Sequence, residues 1–171
     1  MTNKIDKLNE KLLKAVVSAK KAKEIKDLIA KGGDVNCVND CGLTPILLAA
    51  QYNPAVAVLN VLIKEGADLT RVEPEYKSNA LHLAANSNSN PKIILTLLKE
   101  EFNIEEKNYL GETPLIMAVK NNKETKVVST LLKEGANASE KDYKELSVFD
   151  YAKLNKRKYI INSLKKMNIE Y

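Results

Sequence analysis

Gly42-Leu43-Thr44-Pro45-Ile46-Leu47-Leu48-Ala49-Ala50 returns 69 residues later as Gly111-Glu112-Thr113-Pro114-Leu115-Ile116-Met117-Ala118-Val119. Between them stands a third copy, Asn79-Ala80-Leu81-His82-Leu83-Ala84-Ala85. Outward from these stretches an alanine column recurs at Ala15, Ala49, Ala84, Ala118 and Ala152, in steps of 34, 35, 34 and 34. Ile25, Leu59, Ile94, Val128 and Ile161 form a second apolar column, and Leu28, Leu62, Leu97, Leu131 and Leu164 a third. Three columns in step over five units mark a repeat architecture, whose units bury their apolar faces against one another.

Each unit reads as helix, turn, helix and a hairpin-like loop. Thr44-Pro45 and Thr113-Pro114 open first helices, with Thr as N-cap and Pro at the first helical position, where its missing N–H costs nothing. Asn53-Pro54, Asn90-Pro91 and Asn121-Asn122 are read as starts of the second helices. These carry the Ile/Val/Leu columns at helical spacing and end at Gly32, Gly66 and Gly135, since glycine just past a helix adopts the left-handed capping conformation.

The quoted nine-residue stretches resemble the G-x-T-P-L-H-x-A-A core of ankyrin repeats. Leu62-Ile63-Lys64-Glu65-Gly66-Ala67-Asp68 and Leu131-Leu132-Lys133-Glu134-Gly135-Ala136-Asn137 resemble the family's L-L-x-x-G-A-x ending. The resemblance implies an all-α ankyrin-repeat solenoid over 1–171, with about five helix-turn-helix units joined by β-hairpin-like loops. The units are 5–38 (N-cap), 39–73, 74–107, 108–141 and 142–171 (C-cap). Departures from the pattern have their own consequences. The first four units carry one extra residue, which fits the turn between their helices. The third has one more near Val72-Glu73-Pro74, lacks Thr-Pro and the glycine before it, and closes on Glu101. Its hairpin is therefore expected to be the least regular. Lys165 and Lys166 solvate the open C-terminal end.

Composition excludes several classes. No apolar run approaches the roughly 18 residues that span a bilayer, and the N-terminus, with Lys4, Lys7 and Lys11, has no secretory apolar core. A cytoplasmic monomer without membrane contact is expected. The net charge of +5 is carried by lysine, with Arg71 and Arg157 the only arginines. Lysine offers a point charge where arginine offers the fork that reads phosphate and guanine, which argues against nucleic acid. Cys37 and Cys41, spaced C-x3-C, supply with His82 three zinc ligands at most, short of the usual four. They are read as reduced thiols; a disulfide across the hairpin tip would need an oxidising compartment. There is no nucleophile–base pair, and Gly111 is an isolated turn glycine. No catalytic residue, metal or cofactor is expected. The resemblance gives His82 a structural role, tying neighbouring repeats together.

The resemblance also implies binding of a protein partner through the hairpin tips and the exposed side of the first helices. Carried over by position, the tips supply Asp40, Cys41, Glu75, Tyr76, Tyr109, Leu110, Tyr143 and Lys144. Leu43, Ser78 and Glu112 precede the Thr positions, and Gln51, Tyr52, Asn86 and Lys120 follow the alanine column. Tyr76, Tyr109, Leu110 and Tyr143 are the expected anchors, because exposed aromatics beside apolar residues typify interface hot spots. The expected function is a non-enzymatic scaffold, adaptor or inhibitor. One alternative is a polyanion-binding solenoid using Lys14, Lys20, Lys21, Lys23 and Lys26 at one end, or Lys153, Lys156, Arg157, Lys158, Lys165 and Lys166 at the other. Another is an effector delivered into a host cell.

Overall fold

A helix of eight or nine residues has too few turns to persist alone in water, so each unit needs its neighbours. The computed structural model describes residues 4–166, of Lys166 the backbone alone. Ten helices run along it: α1 (Lys4–Ser18), α2 (Ala22–Ala30), α3 (Pro45–Tyr52), α4 (Val56–Lys64), α5 (Ala80–Ser87), α6 (Pro91–Lys99), α7 (Pro114–Asn121), α8 (Thr125–Lys133), α9 (Val148–Leu154) and α10 (Lys158–Lys166). The odd-numbered helices pack in one row, α1 on α3 on α5 on α7 on α9, and the even-numbered helices in a second row behind it. Inner helices are therefore covered on three sides. Pro45–Ala50, Ala80–Ala85 and Pro114–Val119 are each six consecutive buried residues. The alanine column is buried throughout, and its small side chains let neighbouring inner helices approach.

The apolar columns of the outer row are buried from Ile25 to Val128 and from Leu62 to Leu164, while Leu28 and Ile161 at the two ends are half-covered. Terminal helices lack one neighbour, and their edges show it. Lys165 is exposed at the C-terminal end; the side chain of Lys166 lies outside the described residues.

Helix starts differ in detail from the sequence reading. Thr113 Oγ1 accepts the N–H of Ile116 at 3.3 Å, whereas Thr44 occupies the N-cap position without such a bond, its hydroxyl buried and unpartnered. Asn79 takes the cap in the third unit, and Ser147 with Asp150 forms a capping box in the fifth. Only Asn90-Pro91 starts a second helix; α4 and α8 begin later, at Val56 and Thr125. Asn53 and Asn122 instead close the first helices, and so does Asn88.

Those three asparagines stitch the stack. Asn53 Nδ2 donates to the carbonyls of Val16 and Ala19, Asn88 Nδ2 to those of Ala50 and Asn53, and Asn122 Nδ2 to those of Ala85 and Asn88. The last turn of a helix leaves carbonyls without an intrahelical partner. Each asparagine thus satisfies the end of the preceding unit's inner helix, while its Oδ1 accepts the N–H two residues on. In the last unit Arg157 takes over, donating through Nη1 to Ala118 and Asn122.

Candidate functional site

The hairpins are built on one polar residue per unit. Asn39 Oδ1 accepts the N–H groups of Cys41 and Leu43, Asn108 Oδ1 those of Leu110 and Glu112, and Asp142 Oδ1 those of Lys144 and Leu146. The third unit is one residue longer, and the longer side chain of Glu73 compensates by accepting from Glu75, Tyr76 and Ser78. Its backbone pair is Glu73 with Ser78, where the other tips pair residues four apart, as Asn39 does with Leu43. This hairpin departs from the others in length, not in order. Lys77 and Glu145 hold the left-handed conformation, at φ 56° and 60°, that Gly42 and Gly111 supply elsewhere.

Successive tips touch. Tyr109 N–H donates to the Tyr76 carbonyl at 2.7 Å and Tyr143 N–H to the Leu110 carbonyl at 3.0 Å. Pro74 has no N–H to give and meets Gly42 through its ring, where a Cβ on Gly42 would lie 2.7 Å from Cγ. The Tyr109 ring sits under the Lys77 ammonium, 5.8 Å from the centroid. The Tyr143 ring packs on Gly111 so closely that a Cβ there would lie 2.6 Å from Cδ1. Both rings stay 66% and 70% exposed, respectively.

Beside the tips a groove of about 570 Å³ runs over the second, third and fourth units. Eleven of the fifteen residues expected to meet a partner line it. Cys41, Leu43, Gln51 and Tyr52 come from the second unit. Glu75, Tyr76, Ser78 and Asn86 come from the third, and Leu110, Glu112 and Lys120 from the fourth. Asp40 opens instead toward a separate hollow against α1, and Tyr109, Tyr143 and Lys144 are exposed on the tips outside the lining. Ser78 and Glu112 need correction as contact residues: at 2% and 3% exposed they belong to the groove's floor. Ser78 Oγ faces Asn108 Nδ2 at 3.2 Å, and Glu112 Oε1 is paired with Lys120 Nζ at 2.5 Å. The position before the Thr column points back toward the inner helices, so a polar group there must find a protein partner.

The floor also includes Leu83 and Met117, which the expected residues omit. The signal for them was a fourth column, Leu48, Leu83, Met117 and Tyr151, one residue before the last four alanines and nearly buried in each of those units. Tyr151 ends a polar chain under the groove. Lys120 Nζ lies 5.2 Å from its ring centroid, and its hydroxyl donates to Asp142 Oδ2 at 2.6 Å. Burial opposes the Asp142 charge, yet the bonds from Tyr151, Leu146 and Lys144 hold its carboxyl below the ordinary carboxylate range. Burial, and then the bond to Asp142, push the Tyr151 hydroxyl up. At the rim the Glu75 carboxylate, bonded to the Tyr76 hydroxyl, raises that group too.

His82 lies beneath the site and is fully buried. Nδ1 meets Asn79 Oδ1 at 2.8 Å, and Nε2 meets the carbonyls of Glu106 at the end of its own unit and Glu112 in the next, at 2.9 and 3.1 Å. It ties the third unit to the fourth hairpin, as the resemblance implied. Burial lowers its pKa below 6.5 despite these acceptors. Cys37 is buried and Cys41 exposed, both free; burial, with Asp34 nearby, pushes the Cys37 thiol to about 11. Among the described residues no group of three or more His, Cys, Asp or Glu is placed to hold a metal, and no helix is long and apolar enough to cross a membrane.

The two lysine clusters singled out in the sequence lie at opposite ends of the stack. Lys14, Lys20, Lys21 and Lys23, with Lys11 and Lys31, line a cleft of about 750 Å³ between α1 and α2, which Glu24 and Asp27 share; Lys26 lies outside it. At the other end Lys156, Arg157 and Lys158 join Lys123 in a smaller hollow with Tyr159, an exposed ring.

No curated protein matches the chain at a significant level. The family model for Ankyrin repeats (3 copies) matches residues 12–108 and 81–171. Two rows of short helices, hairpins bonded tip to tip and a histidine bridging units agree with that match: the chain belongs to the ankyrin-repeat family, whose members are in general protein–protein interaction modules and typically not enzymes.

Proposed function

We propose that this protein docks a partner protein in the groove over its second to fourth units, acting as a scaffold, adaptor or inhibitor. The observation that carries the reading is the convergence on one concavity of side chains from three units, among them the exposed rings of Tyr52 and Tyr76 beside Leu110. Aromatic and apolar groups surrounded by amides are the composition in which binding energy concentrates. Tyr109 and Tyr143 extend the same side along the tips. Each is braced by the preceding hairpin, which lowers the entropy lost when a partner immobilises it.

The test compares proteins captured by the full chain with those captured by a Tyr52→Ala/Tyr76→Ala variant and a Tyr109→Ala/Tyr143→Ala variant. A partner held by the wild type and lost with the first variant, at an unchanged thermal midpoint, supports groove docking. Equal recovery by all three removes it. A second reading rests on the lysine cleft between α1 and α2, which could hold a polyanion. Retention of mixed-sequence DNA at physiological salt, abolished by Lys20→Glu/Lys21→Glu, would favour it.

A further inference from the structure

The groove is acidic on a basic molecule. Its lining sets Glu73, Glu75 and Glu112 against Lys120 alone, and that ammonium is already engaged by Glu112 and by the Tyr151 ring. The chain as a whole carries +5. That surplus sits at one end, because residues 4–31 hold nine lysines and four acids, leaving the rest of the chain balanced. The acidity of the groove is thus local, and it is fixed in place. Glu73 is held by three backbone N–H groups of its own hairpin, so its carboxylate cannot swing away, and Glu75 stands exposed at the tip beside Tyr76.

From this charge pattern we propose that the occupant is an extended basic segment of a partner protein, an arginine or lysine flanked by apolar residues. The inference rests on the groove reading above. The apolar neighbours settle on Leu83 and Met117. The cation lies between the Glu73 and Glu75 carboxylates and the faces of Tyr76 and Tyr52, a combination that holds a guanidinium by charge and by its attraction to aromatic faces. The amides of Gln51 and Asn86 offer donors and acceptors to an extended backbone, whose own groups need partners once water leaves. An acidic segment would meet carboxylates there and find its complement at the α1–α2 cleft instead.

The test pans a displayed library of random dodecapeptides on the full chain. Arginine and lysine should exceed aspartate and glutamate several-fold among enriched sequences. The leading peptide, synthesised, should shield Cys41 in the groove from maleimide. Reversing one charge in Glu75→Lys should weaken that peptide about tenfold, and Glu75→Gln less, with the thermal midpoint unchanged. Neutral or acidic enriched peptides that still shield Cys41 would overturn the basic-segment inference and leave groove docking standing. Peptides that leave Cys41 reactive and are lost with Lys20→Glu/Lys21→Glu would overturn both, as would failure to enrich any sequence.

Discussion

Replacing Asn88 by alanine should cost about 3 kcal/mol, more than most single substitutions in a protein of this size. The side chain is 2% exposed and makes three hydrogen bonds: Nδ2 to the carbonyls of Ala50 at 2.8 Å and Asn53 at 3.0 Å, and Oδ1 from the Asn90 N–H at 2.9 Å. A net hydrogen bond is worth roughly 1 kcal/mol, and a buried group left without a partner costs about 1–3. Ala50 lies in the last turn of α3, where helix geometry offers its carbonyl no other donor. Three such losses, offset where water can enter the hole, give the figure. At about 2–4 °C per kcal/mol for 150–250 residues the midpoint should fall by roughly 6–12 °C. Amide exchange should quicken first at the junction of the second and third units, because units of a solenoid are coupled only to their neighbours. Thermal unfolding of Asn88→Ala beside Asn60→Ala, an exposed asparagine of α4, is the assay. A shift under 2 °C, or one no larger than that of Asn60→Ala, would refute the view that these amides hold the units together.

Three further outcomes follow from the same geometry. Glu101 holds φ 62° after α6, a conformation costing an L residue about 1–2 kcal/mol; Glu101→Gly should raise the midpoint by a few degrees, while Gly111→Ala should lower it, since the new Cβ meets the Tyr143 backbone nitrogen at 2.7 Å. At pH 7 maleimide should label exposed Cys41 quickly and leave Cys37, buried with its thiol near 11, unmodified until the chain unfolds; equal rates would contradict the packing around Cys37. The pH profile of stability should reflect His82, whose folded pKa is pushed below 6.5 by burial. Below 6.5 the unfolded chain takes up a proton that the folded chain resists, so stability present above that pH is lost progressively as the pH falls below it. His82→Gln, though less stable, should have a flatter profile over that window; an unchanged slope in urea titrations would show that another group is responsible.

The repeat was legible because it depends on spacing alone. A unit that must bury two helices against identical neighbours repeats its apolar positions, so Ala15 to Ala152 and Leu62 to Leu164 appear as columns whatever lies between them. His82 was equally legible, through the motif around it. The hairpin tips follow the same spacing, and half of the eight residues assigned to them line one groove.

Sequence spacing could not decide which polar groups look outward. Ser78 and Glu112 share a column with half-buried Leu43 and Leu146, yet both are buried, because Asn108 and Lys120 stand close enough to pair with them. Asn53 and Asn122 looked like helix starts, since asparagine favours such positions, and Asn88 carried no signal of its own. Their real partners are carbonyls at least 34 residues away, which become neighbours only when the units stack. Arg157 does the same work with a different side chain and so breaks the column that would have revealed it. The sequence alone determined the number of units, their helices and their apolar seams, because local periodicity encodes burial. The tertiary structure alone decided which amides and carboxylates are fixed inside and which line the groove, because that depends on distances across the stack.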